Sequence, residues 1–201
     1  MALPAFAVTY DYRCPFARNA HEHVIAALEA GAGWDVTFLP FSLSQIHVQE
    51  GDTPVWDDPA KAADLLALEA SVVVRDNFPD RFLATHQALF SARHDQAGDL
   101  RDEGVVRAAL EVGGADADAV FAALRDGAAA KELRRTHEAA AADLHVFGVP
   151  TFIVGDRAVF VRLMTRPQGD ATLATDTIEH VVSLIDGHPE LNEFKYTAVS
   201  R

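Results

Sequence analysis

Apolar residues follow two rhythms along this chain, one with the period of a strand and one with the period of a helix. Residues 5–10, AFAVTY, form a short apolar, β-leaning run that predicts a buried first strand. From about Pro15 to Ala30 the spacing changes. Ala17, Ala20, Val24 and Leu28 recur at helical intervals, Pro15 suits the first helical position, and Gly31 and Gly33 close the helix. Residues 34–39, WDVTFL, alternate Trp34, Val36 and Phe38 and read as a second strand. The chain therefore opens strand–helix–strand, a βαβ unit that is right-handed by default.

A loop is expected from Pro40 to about Asp57. Asp58-Pro59 then supplies an N-cap followed by proline in the first helical turn, and Ala63, Leu66, Ala67, Ala70, Val73 and Val74 share one helical stripe. Alanine-rich helical segments follow at about 80–93, 102–112, 116–126 and 128–145, so residues 58–145 read as all-helical. The strands then resume. Residues 151–154, TFIV, are a short strand, Gly155-Asp156 turns the chain, and residues 158–163 form a second arm of a hairpin. The last helix is placed at about 174–186, with Ile178, Val181, Val182 and Ile185 on one face. The tail from His188 to Arg201 lacks clear periodicity and is expected to be an ordered arm or a frayed end.

Four strands in this order, layered with helices, make an α/β fold. Residues 1–57 and 146–201 would form the sheet-bearing domain. Residues 58–145 would form a helical insertion subdomain between the second and third strands.

Composition narrows the function classes. The chain has 201 residues, which at about 150 residues per domain means one domain with an insertion. Its 17 Lys+Arg against 30 Asp+Glu give a net charge of −13, which argues against a nucleic-acid partner. No run approaches the ~18 apolar residues of a membrane helix, so no membrane partner is expected. The first residues, MALPAFAVTYDYRCPF, show neither a basic region nor a cleavage site of small residues, and a cytoplasmic location is expected. The single cysteine excludes an internal disulfide and a four-cysteine zinc module.

That cysteine, Cys14, falls between the first strand and the first helix, in Asp11-Tyr12-Arg13-Cys14-Pro15-Phe16-Ala17. Free N–H groups and the dipole at a helix N-terminus favour an anion, so a thiol there is expected to ionise more readily than a free one. Arg13 is expected to add positive charge, with Asp11 working against it. The alternative is a buried structural cysteine. A second feature changes the weighting. Gly148-Val149-Pro150-Thr151 enters the third strand, and proline has no N–H to give to a sheet, so it must stand at the strand's start or edge.

A strand, Cys-Pro-Phe-Ala opening a helix, a large helical insertion and Val-Pro-Thr entering a hairpin together resemble the thioredoxin superfamily. The similarity is to its DsbA-like branch, which includes DsbA-type oxidoreductases, FrnE-type proteins, 2-hydroxychromene-2-carboxylate isomerases and kappa-class glutathione transferases. The resemblance runs from about Phe6 to Ile185 and implies a thioredoxin-like fold. It further implies that Cys14 is the attacking thiol, that Pro150 is cis and packs beside it, and that the backbone of Val149 pairs with a substrate. Pro15 and Phe16 would border the same site.

One position departs from the dithiol pattern. Ala17 stands where a second cysteine would resolve a mixed disulfide from within. The resemblance therefore implies three open readings: a single-cysteine oxidoreductase with a low-molecular-weight thiol as co-substrate, a thiol-dependent isomerase or transferase, or a redox-inactive binding protein. No tightly bound cofactor is expected. Mycothiol or glutathione is the expected co-substrate, with a disulfide or an electrophilic small molecule as partner; the alanine-rich composition points to a high-GC genome and so towards mycothiol.

Other residues enter as weaker candidates. His47 follows the second strand at the end of the sheet where α/β proteins bind ligands, and His94 lies in the helical block that overhangs it. Arg162 or Arg166 suits a carboxylate on a thiol cofactor. The chain holds nine histidines, but none has zinc-ligand spacing and His21 and His23 point to different helix faces, so no metal site is expected. Phe16, Trp56 and Phe90 are candidates for an apolar groove, with core packing the expected use of Phe90. A homodimer through the apolar faces of the insertion is compatible with the pattern.

Overall fold

The computed structural model describes residues 3–193 and 195. The chain runs through β1 (Phe6–Tyr10), α1 (Pro15–Glu29), β2 (Val36–Pro40) and the short α2 (Leu43–Ile46). Two 3-10 segments, Val55–Asp57 and Pro59–Leu65, lead into α3 (Leu66–Asn77), α4 (Pro79–His94), α5 (Glu103–Val112), α6 (Ala117–Leu124) and α7 (Ala128–Leu144). It ends with β3 (Thr151–Val154), β4 (Arg157–Phe160) and α8 (Ala171–Gly187). All five helices from α3 to α7 fall between the second and third strands, as the sequence pattern anticipates.

Four boundaries differ from that pattern, each through local hydrogen bonding. The expected loop after β2 contains α2, because the Ser42 hydroxyl accepts the Gln45 N–H at 3.3 Å and caps a helical turn. The helix expected from Asp58 starts as a 3-10 segment and becomes α-helical only at Leu66. The hairpin's second arm ends at Phe160, and the next amide, Val161, donates instead to the Pro150 carbonyl at 3.1 Å. The last helix already begins at Ala171 because Asp170 accepts the Leu173 N–H at 2.9 Å. Of the C-terminal tail, residues 188–193 and 195 carry no helix or strand, and residues 194 and 196–201 lie outside the described residues.

The sheet order is β2-β1-β3-β4. β1 runs parallel to β2, with Phe6 opposite Val36, and antiparallel to β3, with Val8 opposite Phe152. β3 and β4 form the antiparallel hairpin. α1 packs along α8, α8 also lies on β3 and β4, and α7 lies against β2. One apolar cluster runs through both parts of the chain, joining Val8, Phe152 and Ile178 of the sheet layer to Leu89, Leu110 and Leu133 of the helical block. Within the block α4 and α5 approach so closely that a Cβ on Gly113 would overlap the main chain of Thr85.

A buried polar chain crosses this core and fixes its own proton positions. His21 on α1 faces the Thr9 carbonyl with Nε2 at 3.1 Å, and a carbonyl only accepts, so Nε2 carries the hydrogen. His21 Nδ1 is then an acceptor, for His86 Nε2 of α4 at 2.8 Å. His86 Nδ1 in turn accepts the Tyr12 hydroxyl at 2.7 Å. Beside it, the Ser71 hydroxyl of α3 donates to the Leu68 carbonyl at 2.7 Å and accepts the Tyr10 hydroxyl at 2.9 Å. Both imidazoles are fully buried, and burial disfavours their charged forms, holding His21 down at about 4 and His86 well below its ordinary value.

Candidate active site

The site is built on the turn that joins β1 to α1. Cys14 N–H donates to the Asp11 carbonyl at 3.0 Å, closing a turn, and Cys14 is itself the N-cap of α1. Pro15 fills the first helical position, where its missing N–H costs nothing. Ala17, Ala20, Val24 and Ile25 bury the inner face of the helix, which ends at Ala30 with Gly31 beyond it at φ +96°. Cys14 is thus held at the carboxyl end of a central strand by a packed helix rather than by a loose loop.

Opposite lies the segment entering β3. The Val149–Pro150 bond is cis. The Cys14 Sγ–H donates to the Val149 carbonyl at 3.3 Å, and the Ala17 N–H donates to the same sulfur at 3.4 Å. Thr9 clasps this segment from below: its hydroxyl accepts the Thr151 N–H at 2.8 Å, and Thr151 Oγ1 donates to the Gly148 carbonyl at 2.8 Å. Ala17, in the position a second thiol would take, is fully buried beneath the sulfur.

The electrostatics overturn one expectation. The Cys14 thiol is pushed up from its ordinary value, not down. Burial is the main cause, and the Asp11 carboxylate adds to it, while the backbone N–H groups of Ala17 and Phe16 pull the other way and do not prevail. Arg13 does not help the thiolate either. Its guanidinium bonds Asp11, Nη2 to Oδ2 at 3.1 Å and Nε to Oδ1 at 3.3 Å. Asp11 is almost fully buried and also accepts the Arg13 N–H at 2.9 Å and the Leu43 N–H of α2 at 2.8 Å. It therefore locks the turn to α2 while placing a negative charge near the sulfur.

The remaining candidates divide. Phe16 is half-buried, and the exposed Arg162 lays its guanidinium 5.4 Å from the Phe16 ring centre, so the two share one flank of the site. His94 reaches the turn, but through Tyr12: its Nε2 donates to the Tyr12 carbonyl at 2.8 Å, and burial lowers its pKa. Arg166 is committed to Glu22 at 2.6 Å and Asp95 at 3.0 Å, so the structure gives it carboxylate partners of the protein's own. His47 is exposed at the end of α2, and among the described residues its hydrogen bonds run through its main chain. Phe90 packs on Tyr12 in the core, and Trp56 meets the buried His137 edge to face. Among the described residues no group of three or more His, Cys, Asp or Glu is arranged to hold a metal ion.

Sequence reading missed the partners of the turn. Tyr12, His21 and His86 look like ordinary apolar-face residues, and only the fold brings a histidine of α4 to one of α1. Arg18, one helical turn beyond Cys14, was also missed. It pairs with Asp95 at 3.1 Å, which joins α1 to the end of α4, and its Nε is buried with no partner among the described residues. Nothing in its local sequence sets it apart from a surface arginine.

Comparison with known proteins bears out the resemblance. Residues 80–165 match the family described as the DSBA-like thioredoxin domain, a span that takes in α4 to β4 and the Val149–Pro150 segment but does not reach Cys14. No curated protein sequence matches the chain. Among solved structures, a probable DsbA oxidoreductase from Streptomyces coelicolor is 19% identical with a TM-score of 0.61, covering 98% of this chain and 94% of that one. A 2-hydroxychromene-2-carboxylate isomerase is 16% identical with a TM-score of 0.62, covering 90% and 97%. MdbA, a thiol-disulfide oxidoreductase from Actinomyces oris, is 19% identical with a TM-score of 0.61, covering 87% and 80%. The chain has the thioredoxin-like fold of DsbA-like proteins, with the helical block inserted between its second and third strands.

Proposed function

We propose that this chain is a thiol-dependent oxidoreductase that works with one cysteine and a low-molecular-weight thiol. The observation that carries the reading is the placement of Cys14. Its sulfur caps α1, lies 3.3 Å from the Val149 carbonyl beside a cis proline, and has Ala17 where a second thiol would stand. The Cys14 thiolate attacks one sulfur of a disulfide RS–SR. That S–S bond breaks, RS⁻ leaves and takes a proton from water, and Cys14 holds R as a mixed disulfide. A second thiol, R′S⁻, then attacks the R sulfur, releasing RS–SR′ and the Cys14 thiolate. The external step is obligatory because the chain holds no other cysteine. Glutathione or mycothiol is the proposed R′SH, and a cytoplasmic location, where such thiols are abundant, goes with this reading.

The test is the mass of the whole protein after incubation with oxidised glutathione or with mycothiol disulfide. The reading expects one adduct, on Cys14, which a reduced thiol then removes. An unmodified protein in both incubations sinks it.

One observation favours a second reading. Burial and Asp11 keep the Cys14 thiol protonated more than an ordinary cysteine, and the Val149 carbonyl accepts its hydrogen. A thiol held in that state suits positioning a cofactor's sulfur for isomerisation or transfer. Cys14→Ser separates the two readings. Serine can still donate to Val149 and orient a cofactor, so isomerase turnover survives the change. Serine cannot form a disulfide, so reductase turnover does not.

A further inference from the structure

A cavity of about 270 Å³ borders residues 11–13 of the turn that carries Cys14. Asp11, Tyr12 and Arg13 form one wall, and the helical block supplies the other through Asp64, Leu68, Arg93 and the loop residues Asp99 to Arg101. Its floor is apolar, since Tyr12, Leu68 and Leu100 are buried core residues. Its rim carries three carboxylates and three guanidiniums.

Four of these six charges neutralise one another. Asp11 pairs with Arg13 at 3.1 Å, and Asp99 pairs with Arg101 at 2.8 Å. The other two have no ion-pair partner among the described residues. Arg93 makes one long side-chain bond, from Nη1 to the Gly98 carbonyl at 3.4 Å. Asp64 accepts the Ser44 hydroxyl at 3.1 Å and no other hydrogen bond among the described residues. The cavity therefore presents one cation and one anion outside any direct ion pair among the described residues, Arg93 near Asp99 and Asp64 near Arg101, above an apolar floor.

We propose that this cavity binds a small zwitterion, a molecule with a free carboxylate for Arg93 and a free ammonium for Asp64, of the size of an α-amino acid or a short peptide. A simple anion would satisfy Arg93 but face Asp64, Asp99 and Asp11, in a chain whose net charge is −13. A simple cation would leave Arg93 without a carboxylate in direct contact. A molecule carrying both charges matches both groups, and the apolar floor takes its carbon body. The site deepens the thiol reading and rests on it in one respect only. A thiol built on a peptide with free amine and carboxylate, as glutathione is, carries the required charges, whereas mycothiol has no carboxylate.

Binding is measured by titration calorimetry on the Cys14→Ser protein, so that no disulfide chemistry contributes and the result is independent of the adduct test above. Four probes are compared: S-methylglutathione, glutamate, glutarate (two carboxylates, no amine) and putrescine (two amines, no carboxylate). Saturable binding of S-methylglutathione or glutamate is expected, and which of the two binds tells a peptide site from a free amino-acid site. Arg93→Gln and Asp64→Asn, both at solvent-accessible positions, should each weaken that binding by at least about tenfold, the usual scale for losing a charge-assisted contact. The proposal fails if neither zwitterion binds. It also fails if glutarate or putrescine binds as tightly, or if either substitution leaves the affinity unchanged.

Discussion

Lowering the pH from 7 to 5 is expected to remove several kcal/mol from the stability of this fold through its interior histidines. His21 is fully buried with a pKa of about 4, and His137, stacked on Phe41 with its Nδ1 accepting the Ser42 N–H at 3.2 Å, is also at about 4. In the unfolded chain each returns to about 6.5. The folded values are depressed, so below pH 6.5 the unfolded state binds the proton first. The stability these groups contribute is whole above about pH 6.5 and falls away as the pH drops towards 4. At pH 5 the loss is about 2 kcal/mol for each, about 4 kcal/mol together. His86 adds to the loss in the same direction. Geometry gives the same sign for His21, because protonating its Nδ1 sets two N–H donors face to face across 2.8 Å. The assay is urea unfolding followed by circular dichroism at pH 7 and pH 5. With a urea slope of about 2 kcal/mol per molar, the midpoint should fall by about 2 M. Midpoints agreeing within about 0.3 M, or unfolding at pH 5 without proton uptake, would refute neutral buried imidazoles as a main source of pH dependence.

Three further outcomes follow from single contacts. Asp11→Asn removes the negative charge beside Cys14 and should speed alkylation by iodoacetamide at pH 7; an unchanged or slower rate would mean that Asp11 does not act on the thiol. Thr9→Val leaves the Thr151 N–H without its 2.8 Å acceptor and should cost about 1–3 kcal/mol, read as a lower urea midpoint, whereas an equal midpoint would show that the clasp under the Val149–Pro150 segment contributes nothing. Gly113→Ala drives a methyl group into the Thr85 main chain, so α4 and α5 must separate; about 1–3 kcal/mol should be lost, and a protein melting at the wild-type temperature would show that the two helices yield freely.

Much of the fold was legible in the sequence because periodicity reports burial, and burial here follows the elements. The stripe Ala17, Ala20, Val24 foretold the buried face of α1, and TFIV foretold a fully buried strand. What escaped was short-range hydrogen bonding that leaves no apolar period. A serine capping four residues made α2, and an aspartate moved the start of α8. The site was legible to the same degree. Cys14, Phe16, Val149 and Pro150 come together in space, and Arg162 joins them through Phe16. The thiol's ionisation was misread because a helix N-terminus is a local signal, whereas burial and the fold's placement of the Asp11 carboxylate are not. Arg166 shows a similar limit: position along a chain says nothing about whether an arginine already has Glu22 and Asp95 as partners.

The threads from the β1–α1 turn into the helical block bear on how this architecture tolerates redesign. The Tyr12 hydroxyl ends on His86, the Tyr12 carbonyl on His94 and Arg18 on Asp95, so three bonds cross from the cysteine's own segment to α4 and the residue that ends it. Excising residues 58–145 would strand the Tyr10 and Tyr12 hydroxyls and His21 at once. In this chain the helical block is not an exchangeable cassette, and a graft should succeed only when it brings partners for these groups or when α4 stays with the strand and turn that carry the thiol.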